Sequence, residues 1–200
     1  PGDFNVENAL IVLALLLHEG VPLDNACAVL EVVEAPPGRM QRVAIGGIGD
    51  DHPAVYVDYA HTPDALAVAL RALRQHVGGR LWCVFGCGGD RDQGKRPQMG
   101  AVVEECADVA IVTSDNPRTE SPHDIIAEIL GGVQNPHDMT VIEDRAAAIA
   151  WAIANADDQD TVLIAGKGHE NYQITGTERR DFSDVGCAVA NLERRQEARS

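Results

Sequence analysis

Four short segments of this 200-residue chain gather residue types that hold charged small molecules. They are Asp58-Tyr59-Ala60-His61-Thr62-Pro63, Gly86-Cys87-Gly88-Gly89-Asp90-Arg91, Ser114-Asp115-Asn116-Pro117-Arg118 and Gly166-Lys167-Gly168-His169-Glu170. Arg91 and Arg118 offer planar guanidinium forks that grip a carboxylate or phosphate through two parallel bonds. Asp115, Glu170 and Asp90 offer carboxylates. Such a mixture suits a zwitterion. A free amino acid needs a cation for its carboxylate and an anion for its ammonium, and one with a second amino-carboxyl head needs this pairing at both ends. Burying those charges is tolerated only where each finds its partner, so analogues lacking one charge should be rejected.

Each segment taken singly has a plainer reading. Gly86, Gly88 and Gly89 fit a tight strand-to-helix turn, and as a dinucleotide fingerprint they fail because Arg91 stands where the third glycine belongs. Asp115-Asn116-Pro117 has the composition of a turn, with Thr119 or Ser121 capping a following helix. His61 and His169 lack the i+4 partner of a zinc-protease helix, and no G-x-x-x-x-G-K-[ST] phosphate loop occurs. Cys83 and Cys87 bracket an apolar strand pattern, which favours buried thiols over metal ligation.

The elements that must position these segments follow from apolar periodicity. Strand-like runs at Ala54–Val57, Leu81–Phe85, Val109–Val112, Thr140–Ile142 and Val162–Ala165 alternate with helical patterns near Pro63–His76, Pro97–Cys106, Pro122–Leu130 and Arg145–Asn155. Strands apolar at consecutive positions and joined by helices predict an α/β fold, a mostly parallel sheet covered on both faces. All four segments would then lie at the carboxyl edge of that sheet, where ligands bind in open α/β folds. A last helix is expected over Ser183–Gln196, and Tyr172–Phe182 suggests an antiparallel hairpin at one edge of the sheet. Two helices, Asn5–His18 and Asp24–Val33, precede Pro36-Pro37-Gly38, the best candidate for a domain boundary. They are too short to enclose a core of their own, so the N-terminus reads as a cut edge.

Charge narrows the partners. Sixteen Lys and Arg stand against 31 Asp and Glu, a net −15, which repels nucleic acid and anionic lipid. The longest apolar run, Ala9–Leu17, is far short of the ~20 residues of a membrane span. Five cysteines without paired spacing, and an opening without a secretory pattern, lead us to expect a reducing, cytoplasmic location.

Longer blocks carry a resemblance. Phe4-Asn5-Val6-Glu7-Asn8-Ala9-Leu10, Gly38-Arg39-Met40, Val57 to Asp64, Phe85 to Asp92 with Gly94-Lys95-Arg96-Pro97, Thr113 to Glu120, and Ala165 to Glu170 resemble, in order, the second half of a Mur ligase. The resemblance implies that residues 1–37 end a central ATPase domain and that 38–200 form a Rossmann-like C-terminal domain that brings in an amino acid. It implies use of ATP and Mg2+, with the phosphate loop, a carbamylated lysine and the magnesium ligands upstream. No catalytic or metal residue is then expected in this stretch, which alone should not catalyse. The implied reaction belongs to peptidoglycan synthesis. The acyl carboxylate of UDP-N-acetylmuramoyl-L-alanyl-D-glutamate is phosphorylated, and the amino group of meso-diaminopimelate attacks the acyl phosphate.

Asp-Asn-Pro-Arg is the mark of the diaminopimelate-adding members. Carried over by position, Arg91, Asp115, Asn116, Arg118, Gly166 and Glu170 match residues that bind meso-diaminopimelate, with Arg118 clamping its distal carboxylate. Asn5 or Asn8, Arg39, Asp58 and His61 match positions near the nucleotide, part of whose site forms when the domains close, with Pro36-Pro37-Gly38 as the hinge region. The competing readings are an isolated amino-acid-binding module without catalysis, a lysine-adding relative, and a folylpolyglutamate-type ligase.

Overall fold

The computed structural model describes residues 3–33, 36–45 and 52–199. Two helices come first, α1 (Asp3–His18) and α2 (Leu23–Val32), packed on each other. A short strand β1 (Gln41–Val43) leads to β2 (Ala54–Asp58), α3 (Pro63–Arg74), β3 (Leu81–Phe85), α4 (Lys95–Cys106), β4 (Val109–Val112) and α5 (Pro122–Leu130). A single 3-10 turn, Pro136–Asp138, precedes β5 (Thr140–Val141), α6 (Arg145–Asn155) and β6 (Thr161–Ala165). The hairpin β7 (Tyr172–Thr175) and β8 (Glu178–Asp181) and the helix α7 (Asp184–Glu197) complete it.

Six strands form one sheet in the order β1-β2-β6-β3-β4-β5, parallel throughout except for β1, which runs antiparallel to β2. The expected α/β architecture is therefore present. Every residue of β3 and β6 is buried, as consecutive apolar positions require of central strands covered on both sides. One apolar cluster joins a face of the sheet to α3, α4 and α5 through Leu66, Leu70, Met99, Val103, Ile125 and Ile129. The other joins the opposite face to α6 and α7 through Ile149, Ile153, Ala188 and Leu192. Local chemistry starts the helices where they begin. Thr62 and Ser121 cap α3 and α5 just before Pro63 and Pro122, and Asp144 and Ser183 cap α6 and α7.

The strand order has a functional consequence. From β2 the chain steps through β3, β4 and β5, then returns to insert β6 between β2 and β3. The chain leaves β2 and β3 towards helices on one face, while β6 leads to α7 on the other. A crevice thus opens at the carboxyl ends of β2, β6 and β3, the switch point at which such folds bind ligands.

Two details differ from expectation. The edge strand β1 carries only three residues and no sequence alternation that could announce it. The hairpin forms where expected but does not extend the main sheet. It makes a separate two-stranded ribbon that meets the segment after β4 through a parallel bridge between Thr175 and Arg118. Among the described residues no helix is long and apolar enough to cross a membrane.

Candidate functional site

A cavity of about 420 Å³ lies in the switch-point crevice. Loops after four strands line it: Tyr59, His61 and Thr62 after β2, Gly86 to Lys95 in part after β3, Asp115, Asn116 and Arg118 after β4, and Gly166, Glu170 and Tyr172 after β6. All six residues matched to the amino-acid site, Arg91, Asp115, Asn116, Arg118, Gly166 and Glu170, converge on it.

Asp115 is 7% exposed, and its carboxylate accepts no hydrogen bond from the described residues. Burial raises its pKa, against the opposing pull of Arg145 and Lys167. A buried anion with no bonded partner, facing a cavity, is a receptor for a cation. Gly166 explains the geometry of the opposite wall. Its φ is +117° and an added Cβ would sit 2.6 Å from Asp115 Oδ2, so only glycine leaves room for that carboxylate.

Asn116 is a hub. Its Oδ1 accepts from Lys167 Nζ at 3.1 Å and from the Ile174 amide at 3.0 Å, while its Nδ2 donates to Glu170 Oε2 at 2.8 Å. Lys167, fully buried, also reaches Glu170 Oε2 at 3.4 Å and lies 5.5 Å from the centroid of the Tyr172 ring. Burial lowers the Lys167 pKa, and the charges of Asp115 and Glu170 work the other way. The Glu170 carboxylate is in this way aimed by two neighbours while still lining the cavity.

Arg118 has φ +51° and is half-buried. Its Nη1 donates to the carbonyls of Gly89 at 2.8 Å and Asn116 at 3.4 Å. Its Nε and Nη2 have no partner among the described residues, which leaves one complete edge of the fork for a ligand. Arg91 is exposed at the rim, with Nη1 donating to the Asp90 carbonyl at 3.2 Å. Asp90 is not brought to the cavity: its carboxylate accepts from the Thr119 hydroxyl at 2.6 Å and the Thr119 amide at 3.3 Å.

Beneath these loops lie two fully buried arginines to which the sequence motifs assign no role in the site. Arg96 donates to Glu120 and Glu128 at 2.7–2.9 Å and to the Gly88 carbonyl at 3.3 Å, and it holds the Glu120 carboxyl down at about 2. Arg145 donates through Nε and Nη2 to Asp184 at 2.8 Å, and reaches the carbonyls of Ala165 at 3.0 Å and Ser114 at 3.4 Å. It ties together the strand ends that precede Asp115 and Gly166. Both arginines occupy the first two positions of their helices. No local signal marks them: Arg96 follows Lys95 and Arg145 follows Glu143-Asp144, so each reads as one of several charged residues at a helix start.

The residues matched to the nucleotide form a second group. Both Asp58 carboxylate oxygens are engaged, accepting from the Met40 amide at 2.7 Å and the Ala60 amide at 2.8 Å. Asp58 therefore fastens the Gly38–Met40 turn to the end of β2. Arg39 lies 5.2 Å over the Tyr59 ring, and His61 meets the same ring edge-on at 4.6 Å while its Nδ1 bonds the Tyr59 carbonyl. Arg39, Asp58 and His61 are thus brought together beside the cavity. Asn8 is exposed on α1 and does not line the cavity, and the Asn5 side chain lies outside the described residues.

Cys83 and Cys87 are buried, and burial pushes the Cys87 thiol up to about 12 and the Cys83 thiol further still. Both are packed as small apolar groups in the same cluster.

Known proteins give a consistent picture. The family model described as Mur ligase, glutamate ligase domain, matches residues 38–168. A UDP-N-acetylmuramoyl-L-alanyl-D-glutamate--2,6-diaminopimelate ligase of Parasynechococcus marenigrum is 52% identical over 196 residues, covering 98% of this chain and 39% of its own length. The enzyme of that name from Haemophilus ducreyi is 55% identical over 192 residues, 96% of this chain and 38% of its own. A solved structure of a ligase with this name aligns at a TM-score of 0.76 and 43% identity, over 98% of this chain and 39% of the other. The chain accordingly spans about two fifths of the length of the relatives it matches. With well over half of its residues matched to the family model, on the sheet that carries the cavity, the chain belongs to the Mur ligase family.

Proposed function

We propose that this chain is the amino-acid-binding part of an ATP-dependent ligase that joins meso-diaminopimelate to UDP-N-acetylmuramoyl-L-alanyl-D-glutamate in peptidoglycan synthesis. The observation that carries the reading is the pairing within one cavity of a buried carboxylate without a donor, Asp115, and a guanidinium edge without an acceptor, Arg118. The distal carboxylate of the ligand takes the Nε/Nη2 edge of Arg118, and its ammonium groups take Asp115 and Glu170. Arg91 closes the rim. Lysine offers no distal carboxylate to Arg118, which sets the two amino acids apart.

In the reaction the dipeptide carboxylate receives the γ-phosphoryl group of ATP, releasing ADP. One ammonium of the held amino acid first loses a proton to solvent, the resulting neutral amine attacks the acyl carbon, a C–N bond forms, and inorganic phosphate leaves as the nitrogen loses a second proton. The contribution of this chain is to hold that amine in place. Residues 38–200 form the amino-acid domain in this reading, and 1–37 belong to the preceding ATPase domain. Exposed Leu10, Ile11, Leu15 and Val32 on α1 and α2 support that division. Arg39, His61 and Tyr59 present a cation and rings to the nucleotide, and Asp58 shapes the turn that carries Arg39. Among the described residues no cluster of three or more His, Cys, Asp or Glu is placed to hold a metal ion, and we assign none of them to magnesium.

Titrating the chain with meso-diaminopimelate and with L-lysine tests the reading. Preference for meso-diaminopimelate supports it, and equal binding of the two, or none of the first, removes it. In an enzyme completed with the upstream domains, phosphate release should require the UDP-dipeptide, ATP and meso-diaminopimelate together.

A further inference from the structure

The hairpin β7–β8 contributes no residue to either apolar cluster, and β8 is exposed along its whole length. Its first strand nonetheless bonds along the segment that carries the cavity's charged groups, through one isolated parallel bridge and side-chain hydrogen bonds beside it. Gln173 Nε2 donates to the Asp115 carbonyl at 2.8 Å, the Ile174 amide donates to Asn116 Oδ1 at 3.0 Å, and the Arg118 amide donates to the Ile174 carbonyl at 3.1 Å. The Gly176 amide in turn donates to the Arg118 carbonyl. Both backbone polar groups of Arg118 are therefore held by the hairpin, at a residue whose φ of +51° is unfavourable for any side chain with a Cβ. Such a conformation persists only where the surroundings over-determine it.

We propose that β7–β8 is a specificity strap: it holds Arg118 in this left-handed conformation so that the Nε/Nη2 edge faces the cavity, and thereby selects amino acids with a distal carboxylate. The inference rests on the reading of the cavity as an amino-acid site. It assigns Gln173, Ile174 and Gly176 as positioning residues, none of which the sequence motifs marked. The hairpin's own construction fits the task. Thr175 pairs with Glu178 across a two-residue Gly176-Thr177 turn, with Gly176 at φ +61°, the position that a tight hairpin turn reserves for glycine.

That glycine provides a remote handle, because an added Cβ would meet nothing within 4 Å. The Cβ of Gly176→Val meets nothing within 4 Å, so the change disfavours the turn through its backbone, whereas asparagine is among the residues that adopt positive φ at such turns. Binding of meso-diaminopimelate and amide hydrogen exchange at Arg118 should be measured on the chain in all three forms. We expect Gly176→Val to weaken binding roughly tenfold and speed Arg118 exchange by a similar factor, with L-lysine binding unchanged and Gly176→Asn within about twofold of the parent. Parent-like binding by Gly176→Val, or unchanged exchange at Arg118, overturns the strap. If the parent chain itself fails to bind meso-diaminopimelate, the amino-acid reading falls, and the exchange comparison still decides whether the hairpin holds Arg118.

Discussion

Replacing Arg118 by alanine separates the clamp from every other feature of the cavity. The backbone there is left-handed, and alanine bears the same conformational cost as arginine, so the change reports on the side chain. Nη1 is occupied by the Gly89 and Asn116 carbonyls, so a ligand carboxylate receives at most the two bonds of the Nε/Nη2 edge. Charge-assisted bonds contribute about 1.5–3 kcal/mol each, and solvent at a half-buried site trims the pair towards about 3 kcal/mol, a roughly 150-fold loss of affinity. Calorimetric titration of parent and Arg118→Ala with meso-diaminopimelate measures that loss directly. L-Lysine, which has no distal carboxylate, serves as the internal control and should bind both forms within about twofold. Arg118→Lys, with charge but no fork, should fall between. A loss below about threefold, or an equal loss for lysine, would refute the clamp.

Asp115 should give the site its acid limb. Burial raises its pKa, so on acidification the carboxylate takes up its proton at a higher pH than an ordinary aspartate and ammonium binding fades there first. Stability runs the other way: the folded state holds that proton more tightly than the unfolded one, so it loses stability as pH rises through the same window. Asp115→Asn should abolish both slopes in pH-resolved titrations and denaturant melts, and parallel slopes in the variant would count against the assignment. Arg145→Met should cost about 3–5 kcal/mol in denaturant unfolding because it strands the fully buried Asp184, and Arg145→Met with Asp184→Leu should recover much of the loss. Recovery failing in the double variant would mean that Arg145 acts chiefly through Ser114 and Ala165. Asp58→Ala should lower stability by about 2–4 kcal/mol by leaving the Met40 and Ala60 amides without acceptors, and a parent-like melt would show that the turn is held by other contacts.

The legible part of this molecule was the part written in periodicity. Consecutive apolar residues in β3 and β6, and the capped, proline-led starts of α3 and α5, are local signals, and the carboxyl-edge placement of four charged loops followed from them. Convergence on one cavity was legible too, because parallel strands project their following loops to the same side. What the sequence concealed depends on partners distant along the chain. Arg145 meets Asp184 across 39 residues, and Asn116 meets Glu170 across 54. Nothing near Tyr172 reveals that β7 lies along the Arg118 segment rather than at the sheet edge. Asp58 reads as a ligand-facing carboxylate until its two backbone donors are seen.

The most direct measurement is a crystal structure of the chain with meso-diaminopimelate. The account places the distal carboxylate on the Nε/Nη2 edge of Arg118 and an ammonium within hydrogen-bond distance of Asp115. Ligand held elsewhere on the surface, or seated in the cavity with neither group engaged, would contradict it.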